Sequence, residues 1–170
     1  MVRSLVLAAL GAMLLSGCGF EPLYATSPGS APGLRNVALG EISAPDEIHT
    51  LVSRAFSRRT SNNPAEAAYD LSVETTEQAQ RLAVQIDASV TRYNYRIVGR
   101  YLLTERATGA RYSGLVTSIA SFNVVNSQYS TLFAEDAARE KAAAQLVEDI
   151  ERDILLKLSD AKDQAGRDEK

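Results

Sequence analysis

The chain of 170 residues holds one cysteine, Cys18, and one histidine, His49, and that scarcity bounds its chemistry. A lone cysteine makes no internal disulfide, and one Cys with one His falls short of the ligands that the common zinc sites draw on. No metal or other cofactor is expected. His49 lies between Ile48 and Leu51 on a helical pattern, and Glu47 is too near in sequence to orient it toward a nucleophile, so it reads as a surface histidine. Glu74 and Glu77 are three residues apart on an extended strand and face opposite sides, which rules out joint acid–base work. Gly109 and Gly114 precede no helix and form no phosphate loop. An enzyme is therefore not expected. The residues with a chemical pattern are Arg92, Arg96 and Arg100, which share one face of a strand with about 13 Å between neighbours. Residues 81–111 hold six arginines against Asp87 and Glu105, a local charge of +4, although the whole chain carries −3. That overall balance gives no reason to expect nucleic acid as a partner. Arginine beside Val98, Leu102, Leu115 and Ile119 suits a ligand that is anionic at one end and greasy at the other, because guanidinium binds phosphate bidentately while the aliphatic groups accept hydrocarbon. Two other readings stand beside it: a solvated face whose Arg stems cover apolar carbons, and a face buried by a protein partner.

The elements that must position these residues follow from periodicity. Residues 34–42 alternate loosely and predict a first strand. Ser43-Ala44-Pro45-Asp46 gives a helix start with a capping oxygen, followed by Ile48, Leu51, Val52, Ala55 and Phe56 on one face, and Asn62-Asn63-Pro64 stops it. Tyr69, Leu71 and Val73 alternate with polar residues in a second strand; the phase changes after Glu77, which predicts a bulge near residues 78–80. Two extended segments flank Thr108-Gly109. A two-residue turn there pairs residues whose numbers sum to 217, placing Tyr93, Tyr95, Ile97, Gly99, Tyr101 and Leu103 opposite Val124, Phe122, Ala120, Ser118, Val116 and Gly114. Residues 131–158 keep helical spacing of apolar residues, from Leu132 and Phe133 through Leu146, Val147, Ile150 and Ile154 to Leu158. Strand, helix, three strands, helix predicts an α+β two-layer sandwich, two helices on one face of a mixed four-stranded sheet. Two helices cover one side and leave the arginine face open.

Residues 1–17 carry Arg3 as their one charge, then an apolar run too short to span a bilayer, and end in small residues, the pattern of a signal peptide. Leu15-Ser16-Gly17-Cys18 resembles the bacterial lipoprotein box, in which the thiol is acylated and the chain cut just before it. An ordinary secretory signal with a chance cysteine is the competing reading. Two or three acyl chains hold a protein stably at a membrane, at about 0.8 kcal/mol per buried methylene. Residues 18–33 then form a lipidated N-terminus and flexible tether, 34–158 one folded domain, and 159–170 a disordered polar tail.

Cys18-Gly19-Phe20-Glu21-Pro22-Leu23-Tyr24, directly after that box, resembles the start of the LPS-assembly lipoprotein LptE family, the rare-lipoprotein B type, and in particular its alphaproteobacterial members. The order of elements and the ending Ala-Ala-Ala-Gln-Leu-Val-Glu-Asp-Ile agree with it. The resemblance implies an outer-membrane lipoprotein, anchored on the periplasmic side through acylated Cys18, that plugs and helps assemble the LptD β-barrel and binds lipopolysaccharide. Gly19, in place of an Asp after the cysteine, favours the outer membrane. Arg81, Arg92, Arg96 and Arg100 are the expected lipopolysaccharide contacts, chosen by geometry. Phe122, Asn126, Tyr129 and Arg139 are the expected barrel contacts, although the hairpin register directs Phe122 to the core. The alternative is a stand-alone lipid-binding or structural lipoprotein without a barrel. Apolar surface on several sides of the domain would favour the plug.

Overall fold

The computed structural model describes residues 33–84, 90–123 and 128–168. Its elements are β1 (Val37–Ser43), α1 (Asp46–Ser57), β2 (Tyr69–Val84), β3 (Val90–Glu105), β4 (Arg111–Asn123) and α2 (Gln128–Asp168). The strands lie side by side in the order β1-β2-β3-β4. β1 runs parallel to β2, since α1 carries the chain back between them, and the other two pairings are antiparallel. This is the expected α+β fold with a mixed four-stranded sheet. A short 3-10 turn, Gly33–Asn36, precedes β1 and buries Leu34.

The core lies between the two layers. α1 buries Ile48, Val52 and Phe56, one per turn; α2 contributes Leu146, Ile150 and Ile154 among others; the sheet answers with Leu71, Val73, Tyr95, Ile97, Tyr101 and Leu103, every second residue of its strands. Each side chain of this size is worth about 1.5–3 kcal/mol when fully buried. The start of α1 lacks the expected capping side chain. The Pro45 carbonyl accepts the Ile48 and His49 N–H groups, at 2.9 and 2.8 Å, and Asp46 and Glu47 place negative charge at the positive end of the helix. Arg59 donates to Glu148 and Glu151 of α2 at 2.8 and 2.5 Å, tying the end of α1 to the longer helix.

Three sequence expectations need correction. The β3–β4 partners sum to 215, not 217: Tyr93 faces Phe122, Tyr101 faces Gly114 and Leu103 faces Tyr112. Four residues, 106–109, form the turn in place of two. The Gly109 N–H bonds back to the Glu105 carbonyl at 2.8 Å, and Gly109 takes φ 74°, a conformation that glycine adopts without cost. The two-residue shift keeps every side chain on its expected face, because the period is two. β2 continues through 78–80, and its register changes between Arg81 and Val84. Finally, α2 starts at Gln128 and continues past Leu158 to Asp168, where a disordered tail was expected; Ala161, Lys162, Gln164 and Ala165 there are good helix formers.

Gly114 has a steric role. A Cβ at this position would lie 2.5 Å from Tyr101 Cε1 and 2.8 Å from Lys157 Nζ. The space is taken by the Tyr101 phenol, which donates to Asp153 at 2.5 Å, and by Lys157, which donates to Asp153 at 2.8 Å. Burial and the Asp153 hydrogen bond push the Tyr101 phenol up to about 12.

Candidate functional site on the open sheet face

The face of the sheet turned away from the helices carries the even-numbered residues of β3 and the odd-numbered residues of β4. Arg92, Arg96 and Arg100 are all exposed on it, in one row as their spacing predicts. Across the strands, Arg96 stands between Gln78 and Ile119, and Arg100 between Glu74 and Leu115. Arg100 Nη1 lies 3.8 Å from Glu74 Oε2, an exposed ion pair of little energetic weight. Leu115 is 63% exposed, and Ile119 and Leu102 join it on the same face. An open groove of about 460 Å³ runs between Glu41, Ser72, Glu74, Arg100, Leu102 and Ser113. Guanidinium groups thus alternate with aliphatic ones over a shallow surface, an arrangement able to hold a phosphate beside a hydrocarbon chain. Arg81 pairs along the backbone with Tyr93, and its side chain lies outside the described residues.

The arginine that closes the hairpin is structural. Arg106 donates to both Asp70 oxygens at 2.9 and 2.6 Å and to the carbonyls of Pro64 and Ala67 at 2.8 and 3.0 Å. These hydrogen bonds hold the Asp70 carboxyl below its ordinary range.

The four residues expected at a barrel contact do not form one patch. Phe122 is 8% exposed and stacks on Tyr93 with centroids 5.5 Å apart, so the domain's own core takes its ring, as the strand period had implied. Asn126 lies outside the described residues. Tyr129 is exposed and meets Phe133 edge-on at 4.6 Å; with Leu132 these form an apolar cluster on the first turns of α2. Arg139, 16% exposed, is held inside the domain. It reaches Glu47 of α1 at 3.1 Å, Glu135 and Asp136 of its own helix at 3.2 and 3.0 Å, and Glu77 of β2 at 4.0 Å. Its guanidinium also lies over the Tyr95 ring, 5.2 Å from the centroid. Burial raises the Glu77 carboxyl, and the Arg139 charge offsets this in part. Glu135 and Asp136, four and three residues ahead of Arg139, were the sequence signal for a local ion pair. The contacts to Glu47, Glu77 and Tyr95 depend on tertiary packing. His49 is exposed, and Glu74 and Glu77 face opposite sides of β2. Among the described residues no group of acidic, His and Cys side chains is arranged to hold a metal ion, and no helix is long and apolar enough to cross a membrane.

No protein-family model and no curated protein matches the chain. Solved structures share its fold. A crystal structure from Caulobacter crescentus CB15, described as a candidate lipoprotein, superposes with a TM-score of 0.56 at 21% identity, over 76% of this chain and 94% of the other. The crystal structure of rare lipoprotein B from Shewanella oneidensis gives a TM-score of 0.55 at 9% identity, over 74% of this chain and 99% of that one. The α+β sandwich is therefore the fold of rare lipoprotein B.

Proposed function

We propose that the chain is an outer-membrane lipoprotein of the LptE type, acylated at Cys18, that sits within the LptD β-barrel as plug and assembly partner and presents lipopolysaccharide with its open sheet face. The observation that carries this reading is apolar surface on both layers of one small domain. Leu115 and Ile119 are exposed on the sheet, and Tyr129, Leu132, Phe133 and Leu156 on α2. A protein that lay on a membrane by one side would need one such face; a protein enclosed by a partner needs several. The fold shared with rare lipoprotein B and the Cys-Gly-Phe-Glu-Pro-Leu-Tyr start support the same assignment. Arg92, Arg96 and Arg100 are the proposed phosphate contacts, and Leu102, Leu115 and Ile119 the acyl contacts. Tyr129 is retained as a barrel contact beside Leu132 and Phe133; Phe122 packs into the core, and Arg139 is engaged by Glu47, Glu135 and Asp136. The experiment is affinity purification of the full chain from detergent-solubilised membranes, with identification of what accompanies it. A stoichiometric outer-membrane β-barrel is expected. Recovery of the protein alone, with lipopolysaccharide bound, would replace the plug with a stand-alone lipid-binding lipoprotein.

A further inference from the structure

The open face is graded across its strands as well as along them. From β2 to β4, two of its cross-strand rows have the same composition: Glu74, Arg100 and Leu115 in one, Gln78, Arg96 and Ile119 in the other. Each sets a hydrogen-bonding side chain on β2, a guanidinium on β3 and a large aliphatic group on β4. Thr76, Val98 and Thr117 form the row between them, so the two arginines are four residues apart, about 13 Å. On β2 the face residues Ser72, Glu74, Thr76 and Gln78 are all polar and exposed. Leu115 and Ile119 on β4 are 63% and 50% exposed. The arginine stems therefore do not cover them, as a merely solvated face would require. The row of Arg92 differs, because its β4 member is Asn123 and no aliphatic group stands beside it.

We propose that the ligand lies with its head-to-tail axis across the strands, sugar hydroxyls over β2, anionic groups on Arg96 and Arg100 and acyl chains over β4, and that it is a glycolipid with two anionic groups about 13 Å apart. Along β3 the order is Arg92, Asn94, Arg96, Val98, Arg100 and Leu102, so a lipid laid lengthwise would need phosphate and hydrocarbon by turns, which a molecule with one head and one tail does not have. Across the strands polarity runs in one sense, and it does so in both rows. The distance from β2 to β4 is two strand spacings, about 10 Å, room for a sugar, its phosphate and the first carbons of a chain. Arg92 then takes an anion of the headgroup that has no acyl chain beside it. This rests on the lipid-binding reading above and adds to it the orientation and the class of the ligand.

The test uses the purified full chain and two probes: diphosphoryl lipid A, the acylated and phosphorylated base of lipopolysaccharide, and monophosphoryl lipid A. A second charge-assisted contact should make the wild type bind the diphosphoryl probe about fivefold more tightly. Arg96→Ala and Arg100→Ala should each cut that preference to within about twofold, whereas Arg92→Ala should keep it while still weakening intact lipopolysaccharide. Orientation has its own readout. A photoreactive residue in place of Ile119 should attach to a fatty acyl chain of bound diphosphoryl lipid A, and one in place of Gln78 to its sugars, as located by mass spectrometry of the digested adduct. Equal binding of the two probes by the wild type, a preference that survives Arg96→Ala or Arg100→Ala or is lost in Arg92→Ala, or attachment of both photoreactive residues to the same part of the lipid would overturn the proposal. So would a wild type that binds lipopolysaccharide but neither probe. In all of these the lipid-binding reading stands; a folded wild type that binds neither probe and no lipopolysaccharide would remove both.

Discussion

Replacing Arg92, Arg96 and Arg100 one at a time and then together should reveal how the open face holds its ligand. Neighbours in the row are four residues apart on one strand, about 13 Å, against a Debye length of about 8 Å at 0.15 M salt, so the three charges act independently. An exposed, charge-assisted contact to phosphate is worth about 1 kcal/mol after screening. Each single change to Ala should then weaken lipopolysaccharide binding about fivefold, and the triple change by about 3 kcal/mol, on the order of 150-fold. Arg100→Ala should be the most harmful of the singles, since it also uncovers the Glu74 carboxylate 3.8 Å away. The assay is equilibrium binding of lipopolysaccharide to the purified full chain, repeated at higher salt, with thermal melting to verify the fold. Loss confined to one arginine, or a folded triple variant within about twofold of the wild type at low salt, would refute the row as a phosphate site.

Cys18→Ala should abolish acylation and release the protein from the membrane fraction; fractionation with N-terminal mass spectrometry checks this, and an unmodified Cys18 in the wild type would contradict the lipid anchor. Gly114→Ala should cost about 1–3 kcal/mol by overpacking against the immobile Tyr101 ring, lowering Tm by roughly 3–10 °C in calorimetry. Burial raises the Glu77 carboxyl above its ordinary value of 4.5, so the folded state binds the extra proton, and stability from this group falls as pH rises from that value through the raised one. Glu77→Gln should remove that loss, so that the variant gains on the wild type across that interval in melting curves taken from acid to neutral pH; parallel curves would show that Glu77 is not buried as described.

How much of this was legible in the sequence depended on the range of the interaction. Strand period placed Tyr95, Ile97, Tyr101 and Leu103 in the core and Arg92, Arg96 and Arg100 outside it, and this survived a register error because the slip was of two residues. The slip itself came from the turn. A glycine at positive φ suits two-residue and four-residue loops alike, and only the tertiary anchor of Arg106 on Asp70 and the Pro64 and Ala67 carbonyls shows which one forms. Arg139 is a similar case. Its helix neighbours were visible, while Glu47, Glu77 and Tyr95, far away in sequence, make it an internal strut. The apolar pair of Leu132 and Phe133 was absorbed into a helical stripe, because periodicity does not distinguish a stripe that meets the sheet from one that extends beyond it.

Photocrosslinking from both layers bears most directly on enclosure by a barrel. A photoreactive residue at Leu115 on the sheet face and another at Phe133 on α2, 63% and 57% exposed, should each capture the same outer-membrane β-barrel in living cells. Capture from one face alone, or from neither, would contradict the enclosed plug.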